Sequence, residues 1–165
     1  FGKGVTLAQD VTIRAFSYLE DCKVKSGTTV GPFARIRPGS EIGKNAKVGN
    51  FVEIKASTLG DETKVNHLAY VGDAVLGEKV NFGAGSIICN YDGVKKHQTK
   101  IGDNAFIGSN SSLVAPLKIG KQTMVGSGTV VTKNVPDNDL ALSRTRQTNK
   151  KNFGKKMMQN LKSKK

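Results

Sequence analysis

The 165-residue chain has no tryptophan, only two cysteines and two histidines, and no long run of apolar residues. A helical membrane span needs roughly 18 or more consecutive apolar residues, so none is expected. Cys22 and Cys89 cannot frame a secreted disulfide scaffold, and two idle thiols in a reducing cytoplasm are the expectation. Together with His67 and His97 they lack metal-ligand spacing, so no metal site is expected. Two histidines also fall short of a three-histidine metal centre of the carbonic anhydrase kind. No charged-then-apolar start precedes a small-residue cleavage site, so no secretory signal is expected. The chain opens at Phe1 rather than Met, which suits a processed chain or a piece cut from something longer.

Acidic residues are also scarce, and unevenly so. Lys and Arg number 26 against 13 Asp and Glu. Nine of the cations, and none of the acids, fall between Arg144 and Lys165. The body is therefore only mildly basic, and the tail reads as a solvated or anion-binding arm. Without interleaved cations and aromatics, specific nucleic-acid binding is not expected.

What the chain does have is a period. Aliphatic anchors recur at Leu7, Ile13, Leu19, Val24, Val30, Ile36, Ile42, Val48, Ile54, Leu59, Val65, Val71, Leu76, Phe82 and Ile88. They resume at Ile101, Ile107, Leu113, Ile119, Val125 and Val131. The steps are six residues, shortened to five before Val24, Leu59 and Leu76. Gly often follows the anchor, and a small or β-branched residue, such as Thr28, Ser40, Thr58 or Ser86, lies four after it. Neither a helix nor an ordinary strand repeats every six residues. Short strands joined by tight turns into a three-sided coil of about eighteen residues do. The spacing predicts an all-β parallel β-helix of about seven coils, a triangular prism with anchors inside, over residues 1–136. An extended basic arm, with a short helix over 154–162, fills 137–165. A polar loop, CNYDGVKKHQTK, interrupts the coil at 89–100.

Counting anchors modulo three assigns the sides. Side A holds Val30, Val48, Val65, Phe82, Ile107 and Val125; side B holds Ile36, Ile54, Val71, Ile88, Leu113 and Val131; side C holds the rest. Residues at one repeat position then stack about 4.8 Å apart per coil. Two after the side A anchors come Asn50, His67, Ala84, Ser109 and Ser127. Above His67 this column is small and smooth for three coils, about 14 Å, the reach of a pantetheine arm. An exposed imidazole at its end suits proton removal near neutral pH. Arg37 and Lys55 follow side B anchors on adjacent coils, near the His67 corner, and two stacked cations suit a phosphate. Glu53, one coil from His67, is placed to orient its ring or to pair with Arg35. No Cys or Ser has an adjacent base, so direct transfer is favoured over a covalent acyl-enzyme.

The strings FARIRPGSEIGKNAKVGNFVEIKAS, NHLAYVGDAVLGEKVNFGAGSIICNYDGVKK, IGSNSSLVAP and ALSRTRQTNK carry a resemblance. Across residues 1–149 the chain resembles the C-terminal half of the bacterial bifunctional N-acetylglucosamine-1-phosphate uridyltransferase/glucosamine-1-phosphate N-acetyltransferases, which are hexapeptide-repeat transferases. The resemblance implies a left-handed coil and acetyl transfer from acetyl-CoA to glucosamine 1-phosphate, toward UDP-N-acetylglucosamine for cell-wall and lipopolysaccharide synthesis. It implies a cytoplasmic homotrimer with sites between subunits, and no uridyltransferase half in this chain. By motif, His67 matches the proton acceptor, and Arg37, Lys55, Tyr70, Asn81 and Lys96 match sugar-phosphate positions. Ala84, Asn90, Tyr91, Ser109, Ser127 and Arg144 match acetyl-CoA positions, with Asn90 and Glu53 also placed near the chemistry. Ser127 stands where some members carry Ala, so a backbone contact there survives the change. Two other readings remain: a hexapeptide acyltransferase with another acceptor, or a non-catalytic β-helical scaffold.

Overall fold

Each of the twenty-one anchors occupies its own strand of two to four residues, and the strands stack into three parallel sheets. The computed structural model describes residues 1–163. Side A carries eight strands and sides B and C seven each, so the prism has seven turns and begins an eighth. The winding is that of a left-handed parallel β-helix. Anchors stack on anchors: Val48 pairs with Val65, Val65 with Phe82, and Phe82 with Ile107.

Nineteen of the anchors are buried; Leu7 and Ile13, on the first coil, have a neighbour on one side only and stay more open. Burying one Val, Leu or Ile side chain contributes about 1.5–3 kcal/mol, so the aliphatic stack is the main source of stability. The small residues have a second task. Thr28, Ser57, Thr63 and Ser86 are buried hydroxyls that each bridge to the next coil. Ser57 Oγ donates to the Lys55 carbonyl at 2.8 Å and accepts from the Ala74 N–H at 3.0 Å. Thr63 Oγ1 likewise donates to the Gly77 carbonyl and accepts from the Val80 N–H. The corners of a tight coil leave amides without a ladder partner, and these hydroxyls satisfy them.

Thr58 departs from the expected pattern. It is exposed, and Ser57 takes the interior place. A five-residue edge brings the buried small residue to three after the anchor, as it also does at Cys22 and Ala74.

The interruption is a compact excursion. Tyr91 and Lys96 form an antiparallel bridge. Asp92 Oδ1 accepts the N–H groups of Val94 and Lys95, each at 2.8 Å, and Oδ2 meets His97 Nε2 at 2.6 Å. The coil then resumes in step, with Ile101 over Leu76.

Beyond Pro136 the expected extended arm differs at its start. Leu140–Ala141 forms one more strand on side A, parallel to Met124–Val125. The short helix runs over Phe153–Lys162 with none of its residues buried. The arm's last residues, Lys164 and Lys165, lie outside the described residues.

An exposed ladder climbs the corner between sides A and B. Phe16, Phe33 and Phe51 stack with centroids 4.9 and 5.4 Å apart, and Leu68 continues the column.

Candidate active site

His67 ends the strand Lys64–His67 on side A, and its ring is exposed at the same corner as Leu68. Asn50 is its register partner one coil below. His67 Nδ1 lies 2.9 Å from Asn50 Oδ1. An amide oxygen only accepts, so Nδ1 carries the proton and Nε2 is the free base.

Above His67 the wall is smooth for a structural reason. A Cβ on Gly83 would sit 2.5 Å from the Ile107 carbonyl oxygen, and one on Gly108 would run into the Ser127 backbone nitrogen. Glycine at this position lets the coils close on one another beside Ala84, Ser109 and Ser127. At the far end Arg144 Nη1 donates to the Ser127 carbonyl at 2.6 Å. On the Ser127 side the contact uses only the backbone carbonyl. The column therefore runs from an imidazole to a guanidinium.

Side B holds the second group. Arg37 Nη1 lies 2.8 Å from Glu53 Oε1, and Lys55 Nζ lies 2.8 Å from Asp73 Oδ1. Asn90 Nδ2 donates to Tyr70 OH at 3.3 Å and to Asp73 Oδ2 at 2.5 Å. Gly72 makes room for this meeting: a Cβ there would lie 2.7 Å from Asn90 Nδ2. Lys96 comes from the loop to stand beside Lys55. The neighbouring Lys55 ammonium holds the Lys96 pKa below the usual lysine range, while the Asp73 hydrogen bond raises that of Lys55. Arg37, Lys55 and Lys96, with Arg35 at the edge of Glu53, thus outnumber the two carboxylates and leave the group positively charged.

Three expectations change here. Glu53 does not orient His67: it pairs with Arg37, with Arg35 at 4.0 Å, and Asn50 holds the ring instead. Arg37 and Lys55 do not share the His67 corner. Lys55 registers with Gly72, beside the Asp73 turn into side C, so the cations sit at the other end of the side B face. Nor are they a bare stacked pair, since each has its own carboxylate.

Asn81 registers with Lys64 and Phe106 on side A, apart from the Tyr70–Asn90 group. Tyr91 stands exposed on the loop, its hydroxyl donating to the Gly93 carbonyl. The sequence reading missed Asp73, Asn50 as a ring partner, and the Asp92–His97 clamp. Asn50 stood in the His67 column, so its stacking was readable. Asp73 looked like any polar corner residue.

The surroundings contain one hollow of about 290 Å³ on side A, lined by Arg14, Gly31, Pro32, Lys47, Asn50 and His67 among others. Among the described residues no cluster of His, Cys, Asp and Glu is arranged to hold a metal ion, and no helix is long and apolar enough to cross a membrane.

The chain is similar to known proteins. Residues 18–94 match the family described as GMPPB C-terminal domain, and 98–133 match Bacterial transferase hexapeptide (six repeats). The chain is 54% identical over 163 residues to the bifunctional protein GlmU of Jannaschia sp., covering 99% of this chain and 36% of that protein. To the bifunctional protein GlmU of Zymomonas mobilis it is 51% identical over 164 residues, again 36% of that protein. The chain thus spans about a third of the length of these relatives. Among solved structures, a histidine-to-alanine mutant of GDP-perosamine N-acetyl transferase from Caulobacter crescentus, in complex with CoA and GDP-perosamine, is 28% identical. It superposes with a TM-score of 0.63 over 70% of this chain and 53% of that one. With its period, its prism and these relatives, the chain belongs to the hexapeptide-repeat transferases and corresponds to the C-terminal part of bifunctional GlmU.

Proposed function

We propose that this chain transfers acetyl from acetyl-CoA to the amine of glucosamine 1-phosphate, giving N-acetylglucosamine 1-phosphate for UDP-N-acetylglucosamine biosynthesis. The observation that carries the reading is the column from His67 past Ala84 and Ser109 to Ser127, closed by Arg144. A pantetheine chain laid along it brings the thioester to the imidazole and the CoA phosphates to Arg144 and the basic arm. The similarity to bifunctional GlmU supports it, as does the 28% identical neighbour, a GDP-perosamine N-acetyl transferase in complex with CoA and GDP-perosamine.

The chemistry follows from the groups present. The sugar amine, like an α-amino group with a pKa near 8, is partly protonated at neutral pH and must lose a proton to act. His67 Nε2 takes that proton as the nitrogen attacks the thioester carbon. Collapse of the tetrahedral oxyanion breaks the C–S bond, and the imidazolium returns its proton to the leaving CoA sulfur. Asn50 keeps the ring in the tautomer that leaves Nε2 free. Arg37, Lys55 and Lys96 hold the phosphate, which displaces Glu53 and Asp73 from two of them. Tyr70 and Asn81 orient the sugar, and Tyr91 borders the acetyl-CoA path.

The same reading makes the molecule a cytoplasmic homotrimer. Asn81 on side A and Tyr70 on side B belong to different faces, and one substrate meets both most simply where two copies meet. The exposed Phe16–Phe33–Phe51–Leu68 ladder supplies apolar surface for such a contact.

The test is thiol release from acetyl-CoA with glucosamine 1-phosphate, glucosamine, serine or a nucleotide-linked amino sugar as acceptor. Turnover confined to glucosamine 1-phosphate supports the reading. Preference for the nucleotide-linked sugar would favour the reaction of the Caulobacter neighbour, and none with any acceptor would leave a scaffold.

A further inference from the structure

Asp73 has no role in the chemistry above except as a counter-ion, yet it is the most connected polar side chain of the site. It sits at the corner between sides B and C with a left-handed backbone, φ 51°. Its N–H donates to the Lys55 carbonyl at 3.0 Å, and its carbonyl accepts from the Thr99 N–H at 3.2 Å. It is thereby tied to the coil below and to the strand that follows the loop. The carboxylate accepts Lys55 Nζ at 2.8 and 3.0 Å and Asn90 Nδ2 at 2.5 Å, with only 22% of the side chain exposed.

The contact with Asn90 constrains chemistry as well as position. Asn90 is 7% exposed. A side-chain amide has a donor end and an acceptor end, and rotation by a half-turn exchanges them. An ionised carboxylate only accepts, so Asp73 compels Asn90 to present its NH2, which also reaches Tyr70 OH. Asn90 Oδ1 then faces away, and among the described residues no protein group donates to it. It is not among the sealed, unpartnered polar atoms, so it keeps some access to solvent.

We propose that Asp73 is a positioning residue for the amino sugar: by fixing the Asn90 amide, it points an acceptor oxygen at the substrate's amine. This rests on the amino-sugar reading above. An amine or ammonium offers N–H donors, and a flipped amide would set donor against donor. The pair therefore selects a sugar phosphate that carries a donor at position 2 over its 2-deoxy counterpart, since a site built around one hydrogen bond rejects ligands that do not fill it.

The test uses Asp73→Asn, whose own amide can turn either way and so no longer dictates the orientation of Asn90. Glucosamine 1-phosphate and 2-deoxyglucose 1-phosphate are titrated calorimetrically into the full chain, alongside thiol-release kinetics and thermal melting. In the variant, glucosamine 1-phosphate binding and its KM weaken about tenfold, the loss of one hydrogen bond at a charged group. Binding of 2-deoxyglucose 1-phosphate changes far less, and the KM for acetyl-CoA holds. In an Asn90→Ala background the same substitution costs nothing further, because the two act as a unit. The exchange Asp73→Asn with Asn90→Asp restores the preference for a donor at position 2, as the carboxylate at position 90 accepts from position 73 and offers its other oxygen to the sugar. Equal weakening of both sugar phosphates would overturn the proposal, since it would mean that Asp73 acts only through Lys55 on the phosphate. An undiminished penalty in the Asn90→Ala background would do the same. Binding needs no turnover, so a wild-type chain that binds the amino sugar but releases no thiol would sink the transferase reading and leave the Asp73 test intact.

Discussion

The imidazole of His67 and the amide of Asn50 are stacked one coil apart, 2.9 Å between Nδ1 and Oδ1, and that contact sets the ring's free nitrogen. Replacing His67 with Ala should lower acetyl transfer by about 10²–10⁴-fold, the usual yield of general base catalysis. Melting should barely move, because the ring is exposed. Asn50→Ala should cost about fivefold, one ordinary hydrogen bond, at unchanged melting temperature. Thiol-release rates with parallel melts check both.

Arg144 and Ser127 close the column at its other end. Arg144→Ala should raise the KM for acetyl-CoA by about tenfold, as expected for a charged hydrogen-bonding partner, and leave the KM for the sugar phosphate alone. Ser127→Ala should have little effect, since Arg144 reads the backbone. Initial-rate kinetics with each substrate varied separate the two.

Lys96 gives a pH signature. Its pKa is lowered by the adjacent Lys55, so it loses its proton earlier than an ordinary lysine as pH rises. A bound phosphate favours the charged form, so binding takes up protons once the pH approaches that lowered value. Phosphate affinity should fall with rising alkaline pH, and Lys96→Met should flatten that limb. Calorimetry of glucosamine 1-phosphate in buffers of different ionisation enthalpy reads the proton uptake directly.

Ser57 tests the fold. Replacing it with Ala leaves the Ala74 N–H without its partner inside the prism. The expected loss is about 1–3 kcal/mol, the penalty of an unsatisfied buried donor. Denaturant unfolding checks it, and Thr58→Ala on the exposed neighbour is the control that should change stability little.

Most of the architecture could be read from spacing, because a repeat that must bury one side chain per edge writes its period into the sequence. Twenty-one anchors became twenty-one strands, and the His67 column stacked as counted. Three things could not be read that way. The strand Leu140–Ala141 follows Pro136, outside the period, and is held by pairing with Met124–Val125. Thr58 was misplaced because a five-residue edge shifts the interior position by one. The side-chain partners of Arg37, Lys55 and His67 depend on rotamers, and spacing gives a residue's coil and face but not the direction of its tip. Glu53 was thus counted to the right coil, and of its two readings the contact with Arg35 is present at 4.0 Å, while its shorter contact with Arg37 was not legible.

The loop expected over residues 89–100 spans only 90–98, between the strands Ile87–Cys89 and Thr99–Ile101; it enters and leaves at a corner, and Ile101 still lands over Leu76. Additions at a corner are absorbed locally, so the walls above and below need no adjustment. A scaffold of this kind separates two kinds of change: new recognition chemistry can be grafted at one vertex while the load-carrying stack is inherited intact. Swapping this one segment between relatives should therefore alter which acceptor is chosen more readily than it alters whether the chain folds.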